Sequence, residues 1–103
     1  MDPDTAPPEH LSAAAGALWR LVLDEYELTP VDVEVLRLAL EALDRADEAR
    51  RLVDADGAVV LDRFGQHRVH PGVAVERDAR LAYARLVRQL DLDGLPDPAH
   101  RRK

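Results

Sequence analysis

Residues 29–57 read TPVDVEVLRLALEALDRADEARRLVDADG, and the predicted fold is built around this segment. Thr29 can cap the start of a helix, and Pro30 suits the first helical position, where no backbone N–H is needed. Gly57 suits the position that ends a helix. We therefore predict a helix from Pro30 to about Asp56. It would be about 40 Å long, which exceeds the ~33 Å diameter of a compact chain of this length, so it should span the domain and protrude.

Apolar side chains cover a wide arc of this second helix. At about 100° per residue they spread over about 200°, twice the width that one buried face needs. A preceding helix can cover part of the arc, and a second copy of the chain is the simplest cover for the rest. The alternative is that a third helix covers it within one monomer. The predicted oligomer interface comprises Val35, Leu36, Ala39, Leu40 and Leu43.

A shorter helix is predicted on each side of the long one. The first runs roughly from Ser12, a suitable N-cap, to Glu27. Its apolar face includes Trp19 and Tyr26, which we interpret as core residues. The third helix begins at Pro71 and runs to about Leu90. Its predicted buried stripe comprises Val75, Ala79, Ala82, Leu86 and Leu90.

The segment between the second and third helices, residues 58–70, reads AVVLDRFGQHRVH. Residues 58–61 and 66–69 can form two short strands around a type I turn at residues 62–65. A two-stranded hairpin is marginal alone, so it should lean on a helix or on a neighbouring subunit; an irregular loop is the alternative. The predicted fold is mainly α: a helical hairpin plus a third helix, with a short β-hairpin insertion between helices two and three.

The chain is short enough to form one domain. It has 103 residues, of which 47% are hydrophobic, enough for a single globular core. Residues 1–10 (MDPDTAPPEH) are rich in Pro and Asp, and we predict that they are disordered. Residues 11–94 should form the single helical domain, and residues 95–103 a flexible basic tail.

Several features of the sequence indicate the cellular compartment of the protein. The chain contains no cysteine, which excludes disulfides, a thiolate nucleophile and Cys-based zinc sites. No apolar run approaches the ~20 residues that span a bilayer. The start MDPD lacks the basic and apolar regions of a secretory signal. We therefore expect a cytoplasmic protein with no membrane partner.

No motif in the sequence supports catalysis. The only serine, Ser12, lacks a nucleophile-elbow motif around it, and the only lysine is Lys103, which excludes a Walker-type nucleotide site. Two Asp-x-Asp-Gly runs, at residues 54–57 and 91–94, lack the other ligands of an EF-hand. On a strand, His67 and His70 would point to opposite faces. We predict a protein that is not an enzyme and takes no cofactor, metal or small-molecule substrate.

Charge is distributed unevenly along the chain. The net charge is −6, but residues 1–56 hold 14 acidic and 5 basic side chains, whereas residues 57–103 hold 6 and 9. Only the second half therefore favours the binding of a polyanion such as DNA. The alternative is that its basic side chains form a solvated face that binds no partner. The residues predicted to contact DNA or an acidic partner are Arg63, Phe64, His67, Arg68, Arg77, Arg80, Arg85 and Arg88.

Several motifs, taken in order, resemble the phage terminase small-subunit family over roughly residues 11 to 95. They are Leu18-Trp19-Arg20, Asp24-Glu25-Tyr26-Glu27-Leu28, Asp32 with Leu36, Gly57, the run DRFGQHRVHP at residues 62–71, and LVRQL with DLDG at residues 86–94. The resemblance implies a homo-oligomeric ring that recognises double-stranded viral DNA. It also implies delivery of that DNA to the terminase large subunit, which holds the ATPase and nuclease.

The resemblance does not place the DNA surface. Many small terminases show a clear N-terminal helix-turn-helix, and none is visible here, where the first two helices are joined by Leu28-Thr29-Pro30 with acidic flanks. We therefore expect DNA to bind the more basic second half. Two other functions fit the sequence: a protein-binding adaptor that never touches DNA, and a metal-dependent enzyme that uses the Asp and His residues.

Overall fold

The computed structural model describes residues 6–90. Within that range the chain forms helix α1 (Ala13–Glu25), helix α2 (Pro30–Asp56), strand β1 (Val59–Leu61), strand β2 (His67–Val69) and helix α3 (Pro71–Leu90). The prediction of a mainly helical chain with a β-hairpin between the second and third helices is therefore confirmed. The irregular loop considered for this segment is wrong, because the two strands pair.

Side-chain caps set the helix ends as the sequence predicts. The Ser12 Oγ accepts the N–H of Ala15 at 3.1 Å, and the Thr29 Oγ1 accepts the N–H of Asp32 at 3.1 Å. Each bond satisfies a backbone donor that has no partner within its own helix. Gly57 caps α2 with a φ of 86°, a value in the region that favours glycine.

Helix α1 ends two residues earlier than predicted. Its last helical residue is Glu25 rather than Glu27, because Tyr26 has an extended backbone with φ −126° and ψ 146°. The Tyr26 side chain is nevertheless buried, as predicted. The apolar spacing that extended the helix therefore reflects the burial of Tyr26 and not the continuation of helical backbone.

Helix α3 packs closely along α2. The facing part of α2 presents Ala39, Ala42, Ala46 and Ala49, each at most 4% exposed, and such small side chains let two helix backbones approach. At the start of α3, a Cβ added to Gly72 would lie only 2.9 Å from the Val53 Cγ2. The contact of α2 with α3 is therefore built by close approach through small side chains, whereas the buried Trp19 contributes to the core beside α1.

The predicted buried stripe of α3 is only partly correct. Ala79 and Leu90 are buried, and Ala82 and Leu86 are half-buried. Val75, however, is 42% exposed. It borders a shallow apolar depression that also contains Leu52 of α2, and Leu52 is itself exposed. Periodicity places a side chain on a face of a helix, but it does not show how far the neighbouring helix reaches.

The residues predicted as an oligomer interface lie in the core of the monomer. Val35, Leu36, Ala39 and Leu40 are at most 8% exposed, and Leu43 is half-buried. They are covered by the chain itself, since Trp19 of α1 and Leu90 of α3 belong to the same core cluster as three of them. The alternative, in which the third helix completes the cover, describes this fold. Within one monomer these residues are therefore largely closed to a second copy.

Residues 6–10 contact the helices, although we predicted disorder for residues 1–10. Pro7 lies against Gly16 of α1, and the His10 Nε2 lies 2.6 Å from a Glu41 carboxylate oxygen on α2. Partial burial raises the pKa of Glu41, but hydrogen bonds from His10 and Arg37 outweigh it and leave this pKa below its usual value. Residues 1–5 and the predicted tail, residues 95–103, lie outside the described residues.

The β-hairpin has little cover from the helices. Its strands are antiparallel, with Val59 opposite Val69 and Leu61 opposite His67. Only Val60 among the six strand residues is even half-buried. We expected the hairpin to pack against a helix or against a neighbouring subunit. In the described residues the helices cover little of it.

The molecule is elongated, as the length of α2 predicts. It measures 56 × 26 × 19 Å and has a radius of gyration of 16.8 Å, whereas a compact chain of this length would have one of about 13 Å. Helix α2 runs from the end that holds α1 to the end that holds the hairpin. Helix α2 alone accounts for roughly 40 Å of this length.

Candidate nucleic-acid interface

Helix α3 carries a stripe of arginines on its outer side. Arg77, Leu81, Arg85 and Arg88 recur at spacings of three or four residues, which places them on one side of the helix. All four are exposed, and the stripe is about 16 Å long at the helical rise. We call these four residues the α3 stripe. Its arginines were predicted from the sequence, but Leu81, which is 57% exposed among them, was not.

Two arginines of α3 are engaged by carboxylates. Arg80 lies 2.8 Å from Glu76 and 3.5 Å from Asp47, and the hydrogen bond to Glu76 raises the pKa of Arg80. Arg77 contacts Asp78, the next residue, at 3.3 Å, with both side chains about two-thirds exposed. An exposed pair of this kind is weak. Arg80 is therefore the less available of the two for an outside anion.

Arg85 and Arg88 are the unpaired cations of the stripe. Neither has a carboxylate partner within residues 6–90, and both are exposed. An unpaired guanidinium can bind a phosphate without first breaking an ion pair, and its planar donors suit phosphate oxygens. Tyr83 and Val87 lie on the other side of α3 and line an apolar groove. The stripe and the groove can therefore be used at the same time.

The tip of the hairpin holds a second exposed basic group. The Arg63 Cζ lies 4.9 Å from the centre of the Phe64 ring, close enough for a cation–π contact. Phe64 is 72% exposed, and Arg63 has no carboxylate partner in the part of the chain that the structure describes. Two stacked planar groups at an exposed tip suit either a nucleic acid or an acidic protein surface.

Arg68 stabilises the hairpin itself. Its Nε donates to the Asp62 Oδ2 at 2.8 Å. The Asp62 Oδ1 also accepts the backbone N–H groups of Phe64 at 2.8 Å and Gln66 at 2.9 Å. Arg68, followed by the two N–H groups, lowers the pKa of Asp62. Among the hairpin residues predicted to contact DNA or a partner, Arg63 and Phe64 are thus available for that contact, whereas Arg68 is paired with Asp62 in the turn.

The two histidines of the hairpin region have different environments. His67 is exposed on β2. His70 has a structural role, because its Nδ1 accepts the N–H of Gly72 at 2.8 Å and its Nε2 lies 2.9 Å from an Asp56 oxygen. These contacts join the end of α2 to the start of α3. His70 therefore acts as a cap for α3.

An apolar groove lies at the end of the molecule away from the hairpin. Its volume is about 300 Å³, and its lining includes Leu21 and Glu25 of α1 together with Tyr83 and Val87 of α3. Leu21 is 56% exposed. Sequence patterns did not predict this groove. The only sign of it was Leu21, an apolar residue outside the predicted apolar face of the first helix.

Metal-binding clusters and membrane-spanning helices are both absent from the described part of the chain. Residues 6–90 contain no group of three or more His, Cys, Asp or Glu side chains that could hold a metal ion. No helix in this range is long and apolar enough to cross a membrane. The exposed basic groups and the apolar groove are thus the features from which a function can be inferred.

Comparison with known proteins supports one family. A family model described as phage terminase, small subunit, matches residues 15–103. The match includes all of the α3 stripe, the hairpin and the groove-lining part of α1. No curated protein and no solved structure matches the chain. The resemblance proposed from the sequence motifs is therefore confirmed.

Proposed function

The chain belongs to the phage terminase small-subunit family, and we propose that it binds double-stranded viral DNA as a homo-oligomer and presents it to the terminase large subunit. The family supports a role in phage DNA packaging. Terminase small subunits are generally non-catalytic, and the ATPase and nuclease belong to the large subunit. In this proposal the protein acts in the cytoplasm of the host cell.

The exposed, unpaired Arg85 and Arg88 carry the proposal. Contacts between arginines and phosphates release counterions, which makes DNA binding favourable and dependent on salt. Two free arginines on a protein of net charge −6 give one monomer little affinity for DNA. In a homo-oligomer each copy adds the same contacts to one duplex, and their effects multiply. Self-association is therefore part of the proposed mechanism.

A salt titration of duplex DNA binding tests the role of Arg85 and Arg88. We expect the double variant R85A/R88A to bind more weakly than the wild type. The plot of log affinity against log salt should also become less steep, by about one in the magnitude of its slope for each phosphate that the variant no longer neutralises. The slope is measured by fluorescence anisotropy over a range of salt concentrations.

A matched control separates position from total charge. The variant R50A/R51A removes two arginines from α2 that are already paired, Arg50 with Asp54 and Arg51 with Glu48, so its net charge equals that of R85A/R88A. We expect this control to keep the wild-type slope. An equal decrease in both variants, or no decrease in R85A/R88A, would contradict the placement of the DNA surface on α3.

The acidic balance of the chain favours a second candidate function. Besides the net charge of −6, the acidic residues Asp24, Glu25 and Glu27 have no ion pair within residues 6–90, and an acidic surface repels DNA. A packaging protein that contacts only other proteins would fit these observations. Absence of duplex binding by the wild type at low salt would support this adaptor function.

A further inference from the structure

The β-hairpin exposes a largely apolar face, on which His67 lies opposite Leu61. Side chains alternate between the two faces of a strand, so Val59 and Leu61 share one face of β1, and Val69 of β2 is directly opposite Val59. These three side chains are 57%, 64% and 67% exposed. Phe64 at the tip is 72% exposed. A hairpin of two strands is marginally stable in water, so this face requires a cover that residues 6–90 do not provide.

The groove at the opposite end of the molecule has matching chemistry. It is concave and mainly apolar, and Leu21, Tyr83 and Val87 contribute to its lining. The hairpin cannot reach the groove of its own chain, because the groove contacts α2 at residues 36–40 and the hairpin follows its last residue, Asp56, about 25–30 Å further along the helix. The hairpin of another copy has no such restriction.

The charges at the two ends are also complementary. Arg63 at the hairpin tip has no carboxylate partner among the described residues. Glu25 lines the groove, and Asp24 and Glu27 lie close to it in the chain; none of these three acids has an ion pair within residues 6–90. The hairpin and the groove therefore both expose apolar side chains and carry charges of opposite sign.

We propose that the β-hairpin of one copy docks its apolar face in the groove of the next copy, with Arg63 close to Glu25. This proposal deepens the homo-oligomerisation included in the proposed function and rests on it. The contact is heterologous, since it joins two different surfaces, and repetition of such a contact gives a closed ring or an open filament. The α3 stripe stays free for DNA, because it lies on the side of α3 away from the groove.

Two blocking variants test the contact. L61D places a charge on the hairpin face, and L21D places one in the groove; both positions are more than half exposed, so the fold should persist, as circular dichroism will show. Light scattering after size exclusion should give an assembly for the wild type and monomers for each variant. The matched control L38D changes an exposed leucine of α2 outside the groove lining, and it should assemble like the wild type.

Mixing the two variants tests the direction of the contact. L61D retains an intact groove, and L21D retains an intact hairpin, so the equimolar mixture has one working contact per pair. We expect the mixture to form a complex of two chains and nothing larger. A mixture that remains monomeric, or that restores the full assembly, would contradict a head-to-tail contact.

A charge exchange tests the pairing of Arg63 with Glu25. R63E and E25R should each weaken assembly, and the double variant R63E/E25R should restore it. If the wild type assembles and L61D and L21D assemble equally well, the docking proposal fails while the proposed function stands. A wild type that stays monomeric at every concentration and with DNA would overturn the oligomeric part of the proposed function together with the docking contact.

Discussion

At the scale of single residues, Asp62 organises the hairpin turn. One carboxylate accepts two backbone N–H groups and the Arg68 guanidinium, all at 2.8 to 2.9 Å. The turn was predictable from Asp62 and Gly65 because these residues occupy the expected first and last positions. The pairing with Arg68 was not predictable, since it depends on the strand register. For the same reason the sequence did not show that Arg68, which we predicted to contact DNA or a partner, pairs with Asp62.

Lowering the pH should loosen the hairpin turn. The pKa of Asp62 is lowered in the folded state, first by Arg68 and then by the backbone N–H groups. The ionised carboxylate therefore stabilises the turn fully above the unfolded pKa of about 3.9, and this contribution is lost as the pH falls through the lower folded pKa. The amide resonances of Phe64 and Gln66, followed by NMR during acidification, should move together in that acidic range.

The variant D62A separates this effect from general acid unfolding. At neutral pH it should give fast amide exchange at Gln66, while the amides in the middle of α2 keep their protection. Unchanged exchange at Gln66 would show that the carboxylate does not hold the turn.

At the scale of elements, the contact of α2 with α3 is the most extensive one in the fold. Capping residues predicted the bounds of α2 because they act within one turn of the helix. Hydrophobic periodicity also predicted a broad apolar arc on α2, but it did not show what covers that arc. Val35 and Leu40 were therefore assigned to an oligomer interface although α1 and α3 cover them. The cover depends on contacts between residues far apart in sequence, which a pattern along one helix does not contain.

Two glycine substitutions should have opposite effects. In G72A the new methyl group would meet the Val53 Cγ2 at 2.9 Å and the His70 ring at 3.0 Å, so we expect a loss of about 1–3 kcal/mol from overpacking. In G16A the nearest side-chain atoms are 3.8 Å away, and replacement of a helical glycine should stabilise the protein by about 0.5–1 kcal/mol.

Urea unfolding at one fixed protein concentration measures both substitutions, because the stability of a self-associating protein depends on concentration. G16A serves as the matched control for G72A, since both add one methyl group to a buried helical glycine. Equal effects of the two substitutions would show that the approach of α3 to α2 is not as tight as described.

At the scale of the whole molecule, shape and charge together determine the function that we propose. The chain is a rod 56 Å long with an apolar groove towards one end and a largely apolar hairpin at the other. On α3 it carries two arginines, Arg85 and Arg88, that have no carboxylate partner within residues 6–90. Sequence patterns located the basic half and the motifs of the family. They could not separate paired from free arginines, or place Leu21 in a groove, because both require the three helices to be assembled.

Native mass spectrometry of the purified protein mixed with duplex DNA tests the central claim most directly, because one spectrum counts protein copies and DNA molecules in the same particle. We predict that the main DNA-containing particle holds one duplex and several copies of the chain, and that a single copy bound to DNA is at most a minor species. Free duplex beside free single chains, at low salt and high protein concentration, would contradict the account.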